Sequence, residues 1–138
     1  MKTMTEKQSQ QEQAHLDYVA ERNAKQAKEI EDKKIIREYA NHYGWSDVTP
    51  YEVIKTISAQ TVEVRELRAV QTVFPKEWVS GGFAGHCVDN HNQKYEYHQE
   101  PGNPIKRIRW SKAKNNWYYH GMKFLMEDNP YKHYDYNF

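Results

Sequence analysis

Cysteine occurs once in this 138-residue chain, at Cys87. A single cysteine excludes a disulfide framework and a multi-cysteine zinc site, and it fits a reducing compartment. No apolar run is long enough to cross a membrane or act as a secretory leader, so the chain is expected to stay in the cytoplasm where it is made. An excess of one charge is also missing. Twenty Lys and Arg stand against nineteen Asp and Glu, a net charge of +1, so the chain as a whole is neither a polyanion binder nor an acidic mimic of nucleic acid. Any electrostatic signal must be local. Glycine and proline number only six and five, and neither occurs in residues 1–43.

That amino-terminal stretch is crowded with Gln, Glu, Lys and Ala, all good helix formers. It predicts a long helix from about Thr5 to His42, ended by Gly44. Its charges balance at eight basic and eight acidic, and Glu21 with Lys25 and Glu29 with Lys33 have the favourable spacing. The apolar stripe is thin: Leu16, Val19, Ala27 and Ile30, then Ile35, Ile36 and Tyr39. So narrow a stripe suits packing on another subunit better than burial along its length in one core. A solvated or partly disordered leader is the alternative.

From Trp45 the texture changes to short alternating runs broken by turn residues. YEVIKTIS (51–58) and TVEVRE (61–66), separated by Ala59 and Gln60, predict a hairpin. KYEYH (94–98) alternates ring and charge, EPGNP (100–104) marks a turn before IKRIRW (105–110), and WYYH (117–120) with KFLM (123–126) forms a further pair. The expectation is an α+β chain: residues 1–43 a long amino-terminal helix for oligomerisation, and residues 44–138 a small antiparallel β core of four to six strands that binds ligand. Mean hydropathy is strongly polar at −1.10, yet 14% of residues are aromatic, with eleven Tyr and four Trp. These rings supply core area with polar tips, and they offer faces for flat ligands.

Two local features point to a ligand. GGFAGHC (81–87) surrounds Phe83 with three glycines, which marks a bent backbone or a close approach. It lacks the Lys-Ser or Lys-Thr of a P-loop and the spacing of a dinucleotide fingerprint. It therefore reads as a structural bend or as a pocket with Phe83 as a stacking ring, followed by a polar string, DNHNQ (89–93), whose amides suit a base edge. The second feature is KRIRWSKAK (106–114), with five basic residues and no acid between Glu100 and Glu127. On a strand, Arg107 and Arg109 share one face and Ile108 and Trp110 the other. Two adjacent guanidinium forks suit phosphate oxygens, although a solvated basic edge would look the same. Together the two features describe a site for something flat and anionic, a nucleotide. His86, Cys87 and His91 do not complete a recognised metal site, and no pair of carboxylates is singled out for acid and base work. No cofactor, metal or catalytic residue is expected.

The runs PKEWVSGGFAGHC (75–87), YEVIKTISAQTVEVRELRA (51–69) and YDYNF (134–138) resemble the first Thoeris anti-defence family, phage-encoded proteins that sequester cyclic nucleotide signals. The similarity extends from about Trp45 to Phe138, and K-x-W-V-x-G-G-F-A-G-H-C is its most specific piece. It implies a protein that is not an enzyme: one that binds a cyclic ADP-ribose isomer without cleaving it, in the cytoplasm of the infected bacterial host. Some family members also hold cyclic oligonucleotides at a separate site. The resemblance further implies a homo-oligomer, a dimer or higher with a hexamer among the candidate sizes, assembled with help from the amino-terminal helix. Carried over, Phe83 would stack on the base, Asn92 (or Asn90, since CVDNHNQ departs from the family's pattern) would contact the ligand, and Arg109 would grip the diphosphate. Arg107 and Lys132 are added on charge alone. The rival expectations are a small single-stranded nucleic-acid-binding module, against which the near-neutral charge argues, and a nucleotide-directed enzyme.

Overall fold

The computed structural model describes residues 4–81 and 84–137. The chain is α+β: one long amino-terminal helix, then antiparallel strands that close into a six-stranded barrel. It divides into two compact units, the helical one through Lys33 and the β-rich one from Lys34. Helix α1 is Met4–Lys34 and carries Glu6 in its first turn, where a negative charge suits the helix dipole. Gln13 donates to Asp17 one turn on at 2.9 Å. Leu16 and Tyr18 are 60% and 61% exposed.

The helix ends at Lys34, eight residues before the predicted His42, because residues 39–43 are needed in the sheet. Strand β1 (Tyr39–Tyr43) buries Ala40 and Asn41 completely. The Asn41 amide donates to Glu127 Oε1 and to the Asn129 carbonyl, each at 3.0 Å, and accepts from the Tyr131 N–H at 3.0 Å. Full satisfaction of a buried amide outweighs the weak helix preference of a run such as Tyr-Ala-Asn-His-Tyr.

The remaining strands are β2 (Val48–Thr49), β3 (Tyr51–Ser58), β4 (Thr61–Glu66), β5 (Arg68–Val73), β6 (Trp78–Gly81), β7 (Ala84–Cys87), β8 (Lys94–His98), β9 (Ile105–Ser111), β10 (Asn116–Tyr119) and β11 (Met122–Glu127). The barrel runs β1, β3, β4, β9, β10, β11 and back to β1, every pairing antiparallel. Register shifts in β3 between Val53 and Lys55 and between Thr56 and Ser58 are the kind of irregularity that lets a strand curl. Strand β2 extends β1, while β5–β8 and β6–β7 form two separate ladders.

Alternation fills the interior. Val62 and Val64 of β4, Ile108 and Trp110 of β9, Trp117 of β10, Phe124 and Met126 of β11 and Tyr51 of β3 are all buried. Trp110 and Trp117, paired across strands, meet edge to face at 5.9 Å, and Tyr51 meets Phe124 at 5.0 Å. Burying each such side chain contributes roughly 1.5–3 kcal/mol. The hairpins predicted at 51–66 and 117–126 are present, and residues 94–98 form β8 as expected.

The β10–β11 hairpin turns on His120 and Gly121, at φ of 45° and 83°. Two left-handed residues in a two-residue loop match the twist of the flanking strands. Nothing lies within 4 Å of a Cβ placed on Gly121, so Gly121→Ala meets no clash and only backbone strain. The expected loss is about 1–2 kcal/mol, read by denaturant unfolding. An unchanged midpoint would show that the turn relaxes freely.

Candidate functional site

Arg107 and Arg109 project outward from β9 while Ile108 and Trp110 point into the barrel, as the alternation predicts. Antiparallel register sets Arg109 between Thr61 of β4 and Tyr118 of β10, and Arg107 opposite Glu63. The two arginines, Tyr118, Tyr119 and His120 line a hollow of about 360 Å³. Arg107 approaches Glu63 at 3.7 Å, with half of the arginine side chain exposed, so that pair constrains it little. Arg109 is exposed and is not in an ion pair among the described residues. Lys114 Nζ lies 4.8 Å from the Tyr118 ring centre, and Lys123 is the register partner of Tyr118 on β11. The outer wall of β9–β10 is thus a cationic surface with a flat aromatic floor.

His120 holds the unusual backbone of the turn and sets its ring edge to face on Tyr119 at 4.4 Å. That backbone is the one a two-residue hairpin turn requires, and it sets His120 at the rim of the hollow. Sequence reasoning had no reason to select Tyr118, Tyr119 or His120. The only available signal was the His-Gly pair between two alternating runs, which marks a turn without placing it beside Arg109.

The glycine-rich bend lies in a second region. Strands β6 and β7 pair from Trp78↔Cys87 to Gly81↔Ala84, and Phe83 falls outside the described residues. Beyond β7, the polar string is engaged with the chain itself. The Asp89 carboxylate accepts the backbone N–H of Lys76 and of Glu77, each at 2.9 Å, and the Asn92 side-chain amide at 3.3 Å. Asn90 donates to Asp135 at 3.0 Å and accepts from the Tyr136 N–H at 3.1 Å. Gln93 pairs through its amide with both backbone groups of Tyr134, at 2.7 and 2.8 Å. Asn92 is therefore engaged with Asp89, and Asn90 with segment 131–137. The hollow at Arg107 and Arg109 includes neither of them.

Lys132 lies in a different hollow of about 380 Å³, shared with Glu66, Arg68, Glu100 and Asn103. There Arg68 pairs with Glu100 at 3.3 Å, and the Lys132 N–H donates to the Tyr97 hydroxyl at 2.8 Å. The structure thus places the two arginines together and sets Lys132 apart from them.

Burial and a hydrogen bond to Asp89 push the Cys87 thiol up. It stays protonated at neutral pH, which is the opposite of an activated nucleophile. Burial also raises Tyr95 to about 12, so its hydroxyl remains a donor, to Gln93 at 2.6 Å. Among the described residues no group of three or more His, Cys, Asp or Glu is placed to hold a metal ion, and no helix is long and apolar enough to cross a membrane. No family model, curated protein or solved structure matches the chain.

The backbone N–H groups of Lys76 and Glu77, with the Asn92 and Cys87 side chains, hold the Asp89 carboxyl at about 2, against the opposing effect of burial. A pKa depressed on folding stabilises fully above the unfolded value of about 3.9 and is lost as pH falls toward the folded value. Asp89→Asn should lower the melting temperature near neutral pH and flatten the loss of stability between about pH 4 and about pH 2. Thermal melts of both proteins across that range check this, and parallel curves would remove Asp89 as the titrating support.

Proposed function

We propose that this protein captures a small nucleotide with adjacent phosphates, a cyclic ADP-ribose isomer, and holds it intact. It would act as a phage anti-defence protein in the cytoplasm of an infected bacterium, as a homo-oligomer. The observation that carries the reading is the pair of outward guanidinium groups on β9 in a hollow walled by Tyr118, Tyr119 and His120. Two forks on one strand face suit neighbouring phosphate oxygens, and aromatic walls suit a base or ribose. The hollow's volume falls within the range of small-ligand sites. The runs at 51–69, 75–87 and 134–138 that resemble the Thoeris anti-defence family select the cyclic ligand.

A second reading, a single-stranded nucleic-acid module, draws on the same cationic wall, where Lys114 and Lys123 join the arginines. Salt separates the two. Polymer binding through several phosphates weakens steeply with salt, whereas a ligand with two phosphates releases few counterions.

Replacing Arg109 with Ala should weaken binding of a cyclic ADP-ribose isomer by about 1.5–3 kcal/mol, the scale of a hydrogen bond to a charged group. Arg109→Lys should rescue only part of this, because a point charge lacks the bidentate fork. Calorimetric titration of the three proteins at low and physiological salt measures the order. Equal affinities at physiological salt would overturn the clamp, and recovery of a cleaved ligand after denaturation would overturn sequestration.

A further inference from the structure

Segment 131–137 is held first by a backbone bridge and then by side chains that imitate backbone pairing. His133 exchanges both backbone hydrogen bonds with Val48 of β2, at 2.9 and 3.1 Å. The Gln93 amide then takes both backbone groups of Tyr134, and Asp47 accepts the Asp135 N–H at 2.7 Å. The Tyr136 hydroxyl donates to Gln71 Oε1 at 3.1 Å and accepts from its Nε2 at 2.8 Å, and the Tyr136 ring meets Trp78 edge to face at 6.1 Å. Last, Asn137 turns its own amide onto the outer edge of β7. Its Oδ1 accepts the Cys87 N–H and its Nδ2 donates to the Cys87 carbonyl, both at 2.8 Å.

The β6–β7 hairpin needs such a support. Two strands alone are marginal in water, and β6 and β7 pair only with each other among the described residues. Trp78 and Val79 are each about half exposed, so their burial provides little anchorage. Apart from the Asp89 clamp at Lys76 and Glu77, the Cys87 thiol to Asp89 bond of 3.6 Å and the Val88 N–H to Glu77 carbonyl bond of 2.9 Å, the polar contacts shown between the hairpin and the rest of the chain come from Asn137.

We propose that residues 134–137 form a strap that fixes the β6–β7 hairpin on the β-rich core, with Asn137 as its positioning residue. The strap acts through geometry: it supplies the third-strand edge that the hairpin otherwise lacks, and it ties that edge to β5 through Gln71 and to the loop before β8 through Asn90 and Gln93.

The test uses the full chain with Asn137→Ala, Asn137→Gln and Tyr136→Ala, and two readouts that need no ligand. Cys87 is the only cysteine and is 2% exposed, so its labelling rate with a maleimide reports opening of the hairpin edge. Amide hydrogen exchange at Val79 and Cys87, compared with Val62, Val64 and Ile108, reports whether the opening is local. The expected result for Asn137→Ala is roughly tenfold faster labelling and exchange at the hairpin with unchanged barrel protection. Tyr136→Ala should act in the same direction, and Asn137→Gln, which keeps the amide, should recover part of both effects. Hairpin labelling and exchange at the unaltered rate would overturn the strap, as would equal loss of protection in the barrel.

Discussion

Four residues of β1 pair with four of β11, from Tyr39↔Glu127 to His42↔Phe124, and that seam turns a curved sheet into a closed barrel. Without it, β11 and β1 would each present a row of unpaired backbone groups, and the interior would lie open on one side. The other flank of β1 is thinner, with Tyr39↔Glu52 and the Val53 N–H to Glu38 carbonyl bond joining it to β3. Asn41 reinforces closure from within by linking β1 to Glu127, Asn129 and Tyr131, while Tyr43 donates to Glu127 at 2.6 Å. The Tyr43 hydroxyl is pushed up by burial and by that carboxylate, so it remains a donor and the link is not weakened by titration near neutral pH. The chain leaving β11 at Asn129 and Tyr131 is thereby aimed toward β2, where His133 pairs with Val48. The strap therefore begins at the seam.

Outside the barrel the protein relies on polar side chains where larger domains use apolar burial. Asn41, Asn90, Gln93, Asn137 and Asp89 each satisfy backbone groups in segments that have no strand partner there. This accounts for a chain that is very polar by composition and still folded: much of its order comes from directed amide and carboxylate hydrogen bonds, each of modest net strength, around a compact aromatic core. Such bonds position segments well and resist opening poorly. That combination suits a hairpin that must be placed accurately without being part of the core.

The barrel strands were legible because their alternation is local. Ile108 and Trp110 against Arg107 and Arg109, or Val62 and Val64 against Thr61 and Glu63, state their faces within a few residues. The end of α1 was not legible, because no glycine or proline precedes Gly44 and the reason to stop lies in contacts with Glu127, Asn129 and Tyr131, far along the chain. The site was half legible. Arg107 and Arg109 follow from strand parity, whereas Tyr118, Tyr119 and His120 join them only through the β9–β10 register. DNHNQ and YDYNF were each visible as polar or aromatic runs, but pairing between segments about forty residues apart leaves no mark in either one.

The size of the barrel bears on where a ligand can lie. An eight-stranded barrel has an interior only just wide enough for side chains to fill, and this one has six strands filled by Trp117, Phe124, Ile108, Val62 and Val64, all fully buried. With those side chains filling the interior, recognition on the proposed reading falls to outer walls and loops. An outer wall is wet, and there an arginine such as Arg109 gains little from a phosphate unless a second surface excludes water from the pair. Tight capture on the proposed reading therefore requires a cover over the β9–β10 hollow that a single β-rich unit does not provide from its own interior. An oligomer meets that requirement without enlarging the barrel. On the proposed reading the homo-oligomer would then have a physical task at the site, to exclude water from the two guanidinium forks.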